Sequence, residues 1–257
     1  MGNWKDNIYF VLVEPREPGN IGATARAMKN MGFRNLCLVN PPPEYNEEAW
    51  WMARNAREVL TGAGRYATLA EALRDKAIVV GVARRQGKKR GMSLPLETGV
   101  KKLLGMPVAT NKVALLFGRE DKGLYNEEVN ECGFLLHIPS SKEQPSLNLS
   151  HAAMVVAYEL SRAEYRSEEA GEVKTPGASV VDAEGRATLV THGELSLLFQ
   201  RMADILVLLD YLPRGDLDLQ RRIMDNLKYF IGRAGLTHWE LKMLHGICSQ
   251  IEKRLGE

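Results

Sequence analysis

Short apolar segments alternate with amphipathic segments over the first 166 residues of the chain. The apolar segments are continuous runs, which is typical of strands covered on both faces, and they predict strands over 8–13, 35–39, 77–82, 112–117 and 134–138. Helical spacing predicts helices over 20–32, 47–60, 68–75, 97–104, 124–131 and 147–165. Because strands and helices alternate, we predict an α/β fold with a mostly parallel sheet flanked by helices.

The pattern changes after this region. From Ser167 to about Ala187 the chain is rich in Gly, Ser and Glu and keeps no period, which indicates a linker. Beyond it, apolar residues recur at helical spacing, namely Leu195, Leu198, Phe199, Met202, Ile205, Leu206 and Leu209.

Two further helices are predicted near 217–233 and 237–254, and Thr237 with Glu240 has the spacing of a capping box. The predicted organisation is therefore an α/β domain, a linker and a small all-helical C-terminal domain, over residues 1–166, 167–190 and 191–257.

Composition and charge narrow the possible functions. The 257 residues are 45% hydrophobic and 26% charged, as in an ordinary globular protein, and the net charge is only +2. Nucleic-acid binding would therefore need a local basic cluster. The three cysteines lie far apart without metal-ligand spacing, so we expect buried thiols and no metal. A strand-like run begins at residue 8 and no apolar stretch reaches about 18 residues, so we expect a cytoplasmic protein without a membrane span.

A basic cluster follows the third predicted strand. Five cations fall within seven residues, namely Arg84, Arg85, Lys88, Lys89 and Arg90. Ligand sites in open α/β sheets lie beyond the carboxyl ends of the strands, so this loop is a candidate for binding RNA phosphates. A merely solvated charged loop is the alternative.

The first predicted strand runs into a turn that contains Gly19, Asn20 and Gly22. Glycines there allow close backbone approach, and we expect the N-terminus of the following helix to face a ligand. Arg26 falls about one and a half turns into that helix. Taken alone, Arg26 is most simply a solvated arginine.

The strand predicted over 112–117 runs directly into Gly118, Arg119 and Glu120. Gly118 makes the backbone approachable, and we expect Arg119 and Glu120 to pair with each other and to face a phosphate. The alternative is a surface ion pair of little energetic value.

The last predicted strand is followed by a polar loop that enters a long apolar helix at Pro145 and Ser146. A loop of amides, hydroxyls and prolines suits a neutral adenine and ribose held through backbone groups. Alternatively, Ser146 or Asn148 only caps the helix.

These three segments, in this order and spacing, resemble the signature motifs of the SpoU branch of SPOUT RNA 2′-O-methyltransferases, and the resemblance covers residue 8 to about 165. Residues 227–247 are in addition similar to the C-terminal extension of the bacterial tRNA (cytidine/uridine-2′-O)-methyltransferases. The target in that family is nucleotide 32 of the anticodon loop.

The resemblance implies a C-terminal trefoil knot in the α/β domain, a homodimer whose active sites are completed by the second chain, and tRNA as the partner. It also implies S-adenosyl-L-methionine as the cofactor, with S-adenosyl-L-homocysteine as the product. By motif, the cofactor would contact Val82, Ala83, Arg84, Leu116, Phe117, Gly118, Ile138, Pro139, Pro145, Ser146, Leu147 and Asn148.

The same resemblance places Arg26 at the target ribose, with catalytic residues around it, namely Asn20, Arg119, Glu120 and Ser146. An arginine is a poor base near neutral pH, since its pKa lies above about 12, so we expect Arg26 to position and polarise the hydroxyl. Two alternatives stay open: a ribosomal RNA target, and an RNA-binding protein without catalysis. The intact Arg26, Gly118 and Ser146 argue against the second.

Overall fold

The computed structural model describes residues 3–43, 47–84, 92–169, 188–211 and 217–255. Within those residues, seven strands form one sheet, namely β1 (Ile8–Val13), β2 (Asn35–Val39), β3 (Gly64–Tyr66), β4 (Ile78–Val82), β5 (Ser93–Pro95), β6 (Val113–Phe117) and β7 (Phe134–His137). Every strand pair is parallel, and the strand order is β3-β2-β1-β6-β4-β7-β5. The predicted parallel α/β sheet is confirmed.

Helices cover both faces of this sheet and form the C-terminal part of the chain. They are α1 (Pro18–Asn30), α2 (Glu47–Ala53), α3 (Arg57–Thr61), α4 (Leu69–Leu73), α5 (Leu96–Leu104), α6 (Asn126–Asn130), α7 (Leu149–Glu169), α8 (His192–Leu208), α9 (Leu217–Ala234) and α10 (His238–Leu255). The helix predicted over 47–60 is interrupted by a single 3₁₀ turn, Arg54–Ala56, where Arg54 has a φ of 50°.

The continuous apolar runs are strands buried on both faces, as predicted. In β1, Phe10 and Leu12 contribute to one core with α1, α5 and α7, while Val11 and Val13 contribute to another core with α4 and α6. Complete burial of such side chains contributes about 1.5–3 kcal/mol each.

The two strands that the sequence pattern does not predict, β3 and β5, are three-residue strands at the sheet edges. Neither carries an apolar run, and β5 ends in a proline, which is tolerated at a sheet edge. The later strand β7 lies between β4 and β5, an arrangement compatible with the trefoil knot, which stays a prediction.

The C-terminal helices pack on one another and on the α/β domain. Leu198, Ile205 and Cys248 form a small core between α8 and α10. The amide N–H of His192 donates to the carbonyl of Lys76 at 2.7 Å, and that of Leu189 donates to Asn111 Oδ1 at 2.7 Å. These contacts lie next to the amino ends of β4 and β6.

An ion cluster strengthens this docking. Glu131, at the end of α6, accepts a hydrogen bond from Lys228 Nζ at 2.6 Å and contacts His192 Nε2 at 2.7 Å. Gly133 packs so closely on α9 that a Cβ there would lie 2.2 Å from the Gly232 carbonyl oxygen. The described ends of the predicted linker are ordered as well, since 167–169 belong to α7 and Val190 N donates to the Leu236 carbonyl at 2.8 Å.

Candidate active site

The loops that follow β6, β4 and β7 surround a cavity of about 410 Å³. These three strands are neighbours in the sheet, so their carboxyl ends meet at one edge. Nine of the predicted cofactor residues line the cavity: Val82, Ala83, Arg84, Phe117, Gly118, Ile138, Pro145, Ser146 and Leu147. Leu116, Pro139 and Asn148 are not part of the lining, and Leu116 packs in the core beneath α4 and α6.

The loop after β6 is a closed turn that needs its first glycine. Arg119 and Gly123 exchange backbone hydrogen bonds of 3.2 and 2.8 Å. A Cβ on Gly118 would lie 2.1 Å from the carbonyl carbon of Gly123, so a side chain would force the turn open. Gly123 itself has a φ of 67°, which favours glycine. The turn that lines the cavity therefore depends on both glycines.

The buried side chain of Arg119 supports this turn. Its side chain is only 3% exposed. Nε donates to Glu14 Oε2 at 2.8 Å, and the two terminal nitrogens donate to Glu128 at 3.0 and 2.8 Å. The guanidinium also lies 3.9 Å from the ring centroid of Tyr125. The predicted pairing of Arg119 with Glu120 is wrong, because Glu14 and Glu128 satisfy the buried guanidinium.

Electrostatics fixes the charge of this cluster. Burial works against the charged form of Arg119, but the hydrogen bonds to Glu14 and Glu128 outweigh it and raise the pKa of Arg119. The hydrogen bond from Arg119 lowers the pKa of Glu14. Arg119 is therefore a permanent cation that holds the loop, and it is unsuited to proton transfer.

Glu120 lies at the N-terminus of α1. Its carboxylate accepts hydrogen bonds from the backbone N–H groups of Arg16 and Glu17, both at 3.2 Å, and from Asn20 Nδ2 at 3.1 Å. A carboxylate is the favoured charge at a helix N-terminus. Glu120 of the same chain therefore lies beside the start of this helix, and the prediction that the helix N-terminus faces a ligand stays a prediction.

Hydrogen bonds through the side chains of Asn20 and Asn148 connect the three motifs. Asn20 Oδ1 accepts from Asn148 Nδ2 at 2.8 Å, and Asn148 Oδ1 accepts from Ser150 N at 2.8 Å and from Ser150 Oγ at 2.7 Å. Asn148 therefore caps α7 and also binds Asn20. Through Glu120, Asn20 and Asn148, the first, second and third motifs form one hydrogen-bonded unit.

Arg26 lies apart from the cavity of its own chain. It is exposed, does not line the cavity, and makes no hydrogen bond or ion pair with any residue that the structure describes. It follows Asn20 by six residues, or about 240° around the helix. It lies instead near the side of α1 where Gly22 contacts Ala49 of α2.

The basic loop is described only in part. Arg84 lines the cavity and forms no hydrogen bond or ion pair within the described part of the chain. Arg85, Lys88, Lys89 and Arg90 lie outside the described residues, so their predicted RNA contacts stay a prediction.

Some residues of the site were not predicted. The cavity is also lined by Asp121, Lys122, Gly123, Leu124, Leu149 and Ala152. Glu14 lies in the first predicted segment but was given no role, and Glu128 lies outside the predicted motifs. Only the fold brings them to Arg119, across 105 and 9 residues of sequence.

Two further expectations concern metal and membrane. Over the described ranges, no group of three His, Cys, Asp or Glu side chains is placed to hold a metal ion. None of the helices in the described part of the chain is long and apolar enough to span a bilayer. All three cysteines are free and buried, as predicted.

Comparison with known proteins defines the class of this chain. Residues 7–158 match the SpoU rRNA Methylase family, and the chain belongs to that family. The match includes all three motifs and the cavity that they form. The predicted assignment to the SpoU methyltransferases is confirmed.

The similarity to particular relatives continues through the C-terminal helices. The tRNA (cytidine/uridine/adenosine-2′-O-)-methyltransferase TrmJ of Pseudomonas aeruginosa (strain UCBPP-PA14) is 35% identical over 250 residues, which are 96% of this chain and 95% of that protein. The tRNA (cytidine/uridine-2′-O-)-methyltransferase TrmJ of Escherichia coli (strain K12) is 35% identical over 249 residues, 96% of each chain.

Solved structures agree with these relatives. TrmJ from Z. mobilis ZM4 has a TM-score of 0.77 at 26% identity, covering 95% of this chain and 98% of that one. A probable methylase family protein from Haemophilus influenzae Rd KW20 has a TM-score of 0.60 at 30% identity, covering 98% of both chains. The predicted resemblance of the C-terminal region to tRNA methyltransferases is therefore confirmed.

Proposed function

We propose that this protein transfers a methyl group from S-adenosyl-L-methionine to a ribose 2′-hydroxyl of tRNA. The observation that carries the proposal is the cavity at the carboxyl ends of β6, β4 and β7, where the loops of the second and third motifs meet beside the first. The relatives similar over the whole chain are named tRNA 2′-O-methyltransferases, which favours tRNA over ribosomal RNA.

The cavity suits an adenosine cofactor. Its volume of about 410 Å³ lies in the range of small-molecule sites, and its walls combine aliphatic side chains such as Val82, Ile138 and Leu147 with loop backbone. Flat, neutral adenine fits such apolar walls, and loop amides can bind its polar edge. When bound, S-adenosyl-L-methionine would supply an electrophilic sulfonium methyl group, so the chemistry requires no metal.

We further propose that the protein acts as a homodimer and that Arg26 enters the cavity of the second copy. Arg26 is exposed, is unpaired among the described residues, and does not line the cavity of its own chain. There its guanidinium would bind the phosphate next to the target ribose and polarise the 2′-hydroxyl. Most of the rate enhancement would come from alignment of the hydroxyl with the methyl group.

The hydrogen-bonded unit of Glu120, Asn20 and Asn148 has a positioning role in this mechanism. It fixes the loops after β6 and β7 relative to the start of α1. Ser146 lines the cavity next to this unit, and its hydroxyl would contact the cofactor or the ribose. Arg119 serves the same end by holding the turn at Gly118.

We propose a pyrimidine at nucleotide 32 of the anticodon loop as the target, and the cytoplasm as the compartment. Anticodon loops present unstacked nucleotides and accessible 2′-hydroxyls. Arg84 at the cavity wall and the adjoining cations of the basic loop would bind the flanking phosphates. The three free thiols fit a reducing compartment.

Mass mapping of ribose methylation tests the target. Total tRNA and ribosomal RNA are incubated separately with the protein and S-adenosyl-L-methionine, and we expect new 2′-O-methylation at pyrimidine 32 of tRNA. Methylation of ribosomal RNA alone would reassign the substrate. Calorimetric titration with S-adenosyl-L-methionine tests whether the protein is a methyltransferase. If the protein does not bind the cofactor, either with or without tRNA, both the tRNA and the ribosomal RNA methyltransferase hypotheses are contradicted, and an RNA-binding protein without catalysis remains.

A further inference from the structure

The outer face of α10 carries apolar side chains that the core of this chain does not use. The opposite face of the helix packs on α8 through Leu241, Leu244 and Cys248. At 3.6 residues per turn, six residues of the outer face fall within about one third of the helix circumference. These residues, called the outer row below, are Trp239, Met243, Gly246, Ile247, Gln250 and Arg254.

The outer row is exposed and continues into an apolar groove. Trp239 is 70% exposed, Ile247 50% and Met243 44%. A groove of about 600 Å³ lies along one edge of the row and is lined by Leu209, Gly246, Ile247, Gln250, Ile251, Arg254 and Leu255. Contiguous exposed apolar surface of this kind marks a protein interface. Within the row Arg254 is the one cation, with Lys242 and Lys253 at its flank, so the row itself offers few of the many phosphate contacts on which RNA binding depends.

Gly246 lies at the centre of the outer row. A Cβ at this position would meet no atom within 4 Å, so the chain itself has room for a side chain. Glycine inside an exposed helix is less stable than alanine. Its presence is explained if the backbone of a second helix approaches at this point, since small side chains shorten the distance between packed helices.

We propose that α10 pairs with α10 of a second copy of this chain, antiparallel, about a two-fold axis between Gly246 and Ile247. This symmetry places Ile247 of one copy on Gly246 of the other. It brings Met243 level with Gln250, and Trp239 level with Arg254, of the second copy. The outer row is therefore complementary to itself, as an isologous interface requires.

The ends of the row decide the direction of the pair. In the antiparallel arrangement each Arg254 guanidinium approaches the Trp239 indole of the other copy, which is a favourable cation–π contact. A parallel pair would place the two Arg254 side chains against each other, and like charges in an apolar surrounding repel. If the α/β domains also associate, the high effective concentration of the second α10 favours the pair further.

Disulfide crosslinking tests the contact in the full-length protein. We expect Ile247→Cys to give a covalent dimer under mild oxidation at least tenfold faster than Lys242→Cys, a control exposed on the flank of the same helix. The native cysteines are buried and add little background. Equal rates for the two variants would overturn the proposal. So would protection of Ile247→Cys from a thiol reagent by tRNA without crosslinking, since RNA would then cover the row.

A second crosslink fixes the direction. Chains carrying Trp239→Cys are mixed with chains carrying Arg254→Cys, and we expect the mixed disulfide to predominate. Predominance of the disulfide between two Trp239→Cys chains would contradict the antiparallel pair. Circular dichroism checks that each variant keeps its helices, and Ile247→Glu should reduce the mixed disulfide at least tenfold whereas Lys242→Glu should not.

Discussion

The two ends of the strands β4, β6 and β7 serve different purposes. Their carboxyl ends open into the cavity, whose loops contain glycine and polar residues. Their amino ends carry the C-terminal helices, anchored by Glu131, His192 and Lys228. One end of these parallel strands therefore carries the candidate active site, and the other end carries the C-terminal helices. A substitution should show whether its residue serves the active site or the attachment of the helices.

The two ends also differ in how their charges are arranged. At the carboxyl ends a buried cation, Arg119, is surrounded by carboxylates and holds a turn. At the amino ends a carboxylate, Glu131, is surrounded by basic groups and holds two helices. In both places one central charge joins elements that are distant in sequence. Removal of the central charge therefore tests most directly what holds each end of the strands together.

Arg26→Ala should have the largest effect on activity. We expect the rate of methyl transfer to fall by about 100–1000-fold, as when one electrostatic transition-state contact is removed. Affinity for S-adenosyl-L-methionine should stay unchanged, because Arg26 is proposed to bind the phosphate and the ribose of the tRNA and not the cofactor. Thermal stability should also stay unchanged, because Arg26 is exposed and is not part of the core. Single-turnover kinetics and cofactor titration measure the two quantities. Loss of cofactor affinity would contradict the proposed position of Arg26 at the ribose.

Arg119→Met should reduce stability most. It leaves the carboxylate of Glu128, whose side chain is mostly buried, without its partner, and breaking a buried pair costs about 3–5 kcal/mol in the free energy of unfolding. Cofactor affinity should fall as well, because the turn at Gly118 loses its support. Urea unfolding and calorimetry measure both. Arg16→Met is the control, since Arg16 forms an exposed ion pair with Asp121; an equal loss in the control would contradict the role of burial.

Most of the fold was accessible from the sequence. The helices follow from apolar periodicity. The five long strands follow from continuous apolar runs, because a strand such as β6 is buried on both faces over its full length. The edge strands β3 and β5 were inaccessible, since three residues containing Gly64 or Pro95 carry no period. Their pairing depends on the neighbouring strands.

The loops that form the candidate site were predictable from the sequence, but the hydrogen-bond partners of its charged residues were not. Gly118 and Ser146 were identified from local motifs, and both line the cavity. The partners of Arg119 and Glu120 were not, because several carboxylates and amides compete for each charge and only the packed chain decides between them. The Glu131 cluster left no local signal, since its members lie 61 and 97 residues apart.

Glu131→Gln tests the amino ends of the strands. Burial favours protonation of Glu131, but hydrogen bonds from His192 and Lys228 outweigh it and lower its pKa to about 2. A lowered carboxyl pKa stabilises the fold above the unfolded pKa near 4.5, and this contribution is lost as the pH falls towards 2. The shift corresponds to about 3 kcal/mol, and Glu131→Gln should remove most of it at pH 7 without changing cofactor affinity.

Thermal unfolding between pH 7 and pH 3 measures this contribution. The wild type should lose stability below about pH 4.5 more steeply than the variant. Glu127→Gln is the matched control, because Glu127 also joins α6 to α9 through Arg221, at 2.7 Å, but in an exposed pair. Exposed pairs contribute little, so the control should follow the wild type. Identical pH profiles for wild type and Glu131→Gln would show that the cluster does not anchor the C-terminal helices.

Substitutions of Asn148 should reduce stability less than those of Arg119 and Glu131, and they separate its two roles at the carboxyl ends. Asn148→Ala removes the cap of α7 and should cost about 1 kcal/mol of unfolding free energy. Asn148→Asp keeps the acceptor for Ser150 but lacks the Nδ2 donor to Asn20, so stability should be retained. If the link to Asn20 positions the loops, both variants should lose methyl-transfer activity to a similar degree. Activity and thermal unfolding of both variants measure these effects. Full activity of Asn148→Asp would show that Asn148 acts only as a helix cap.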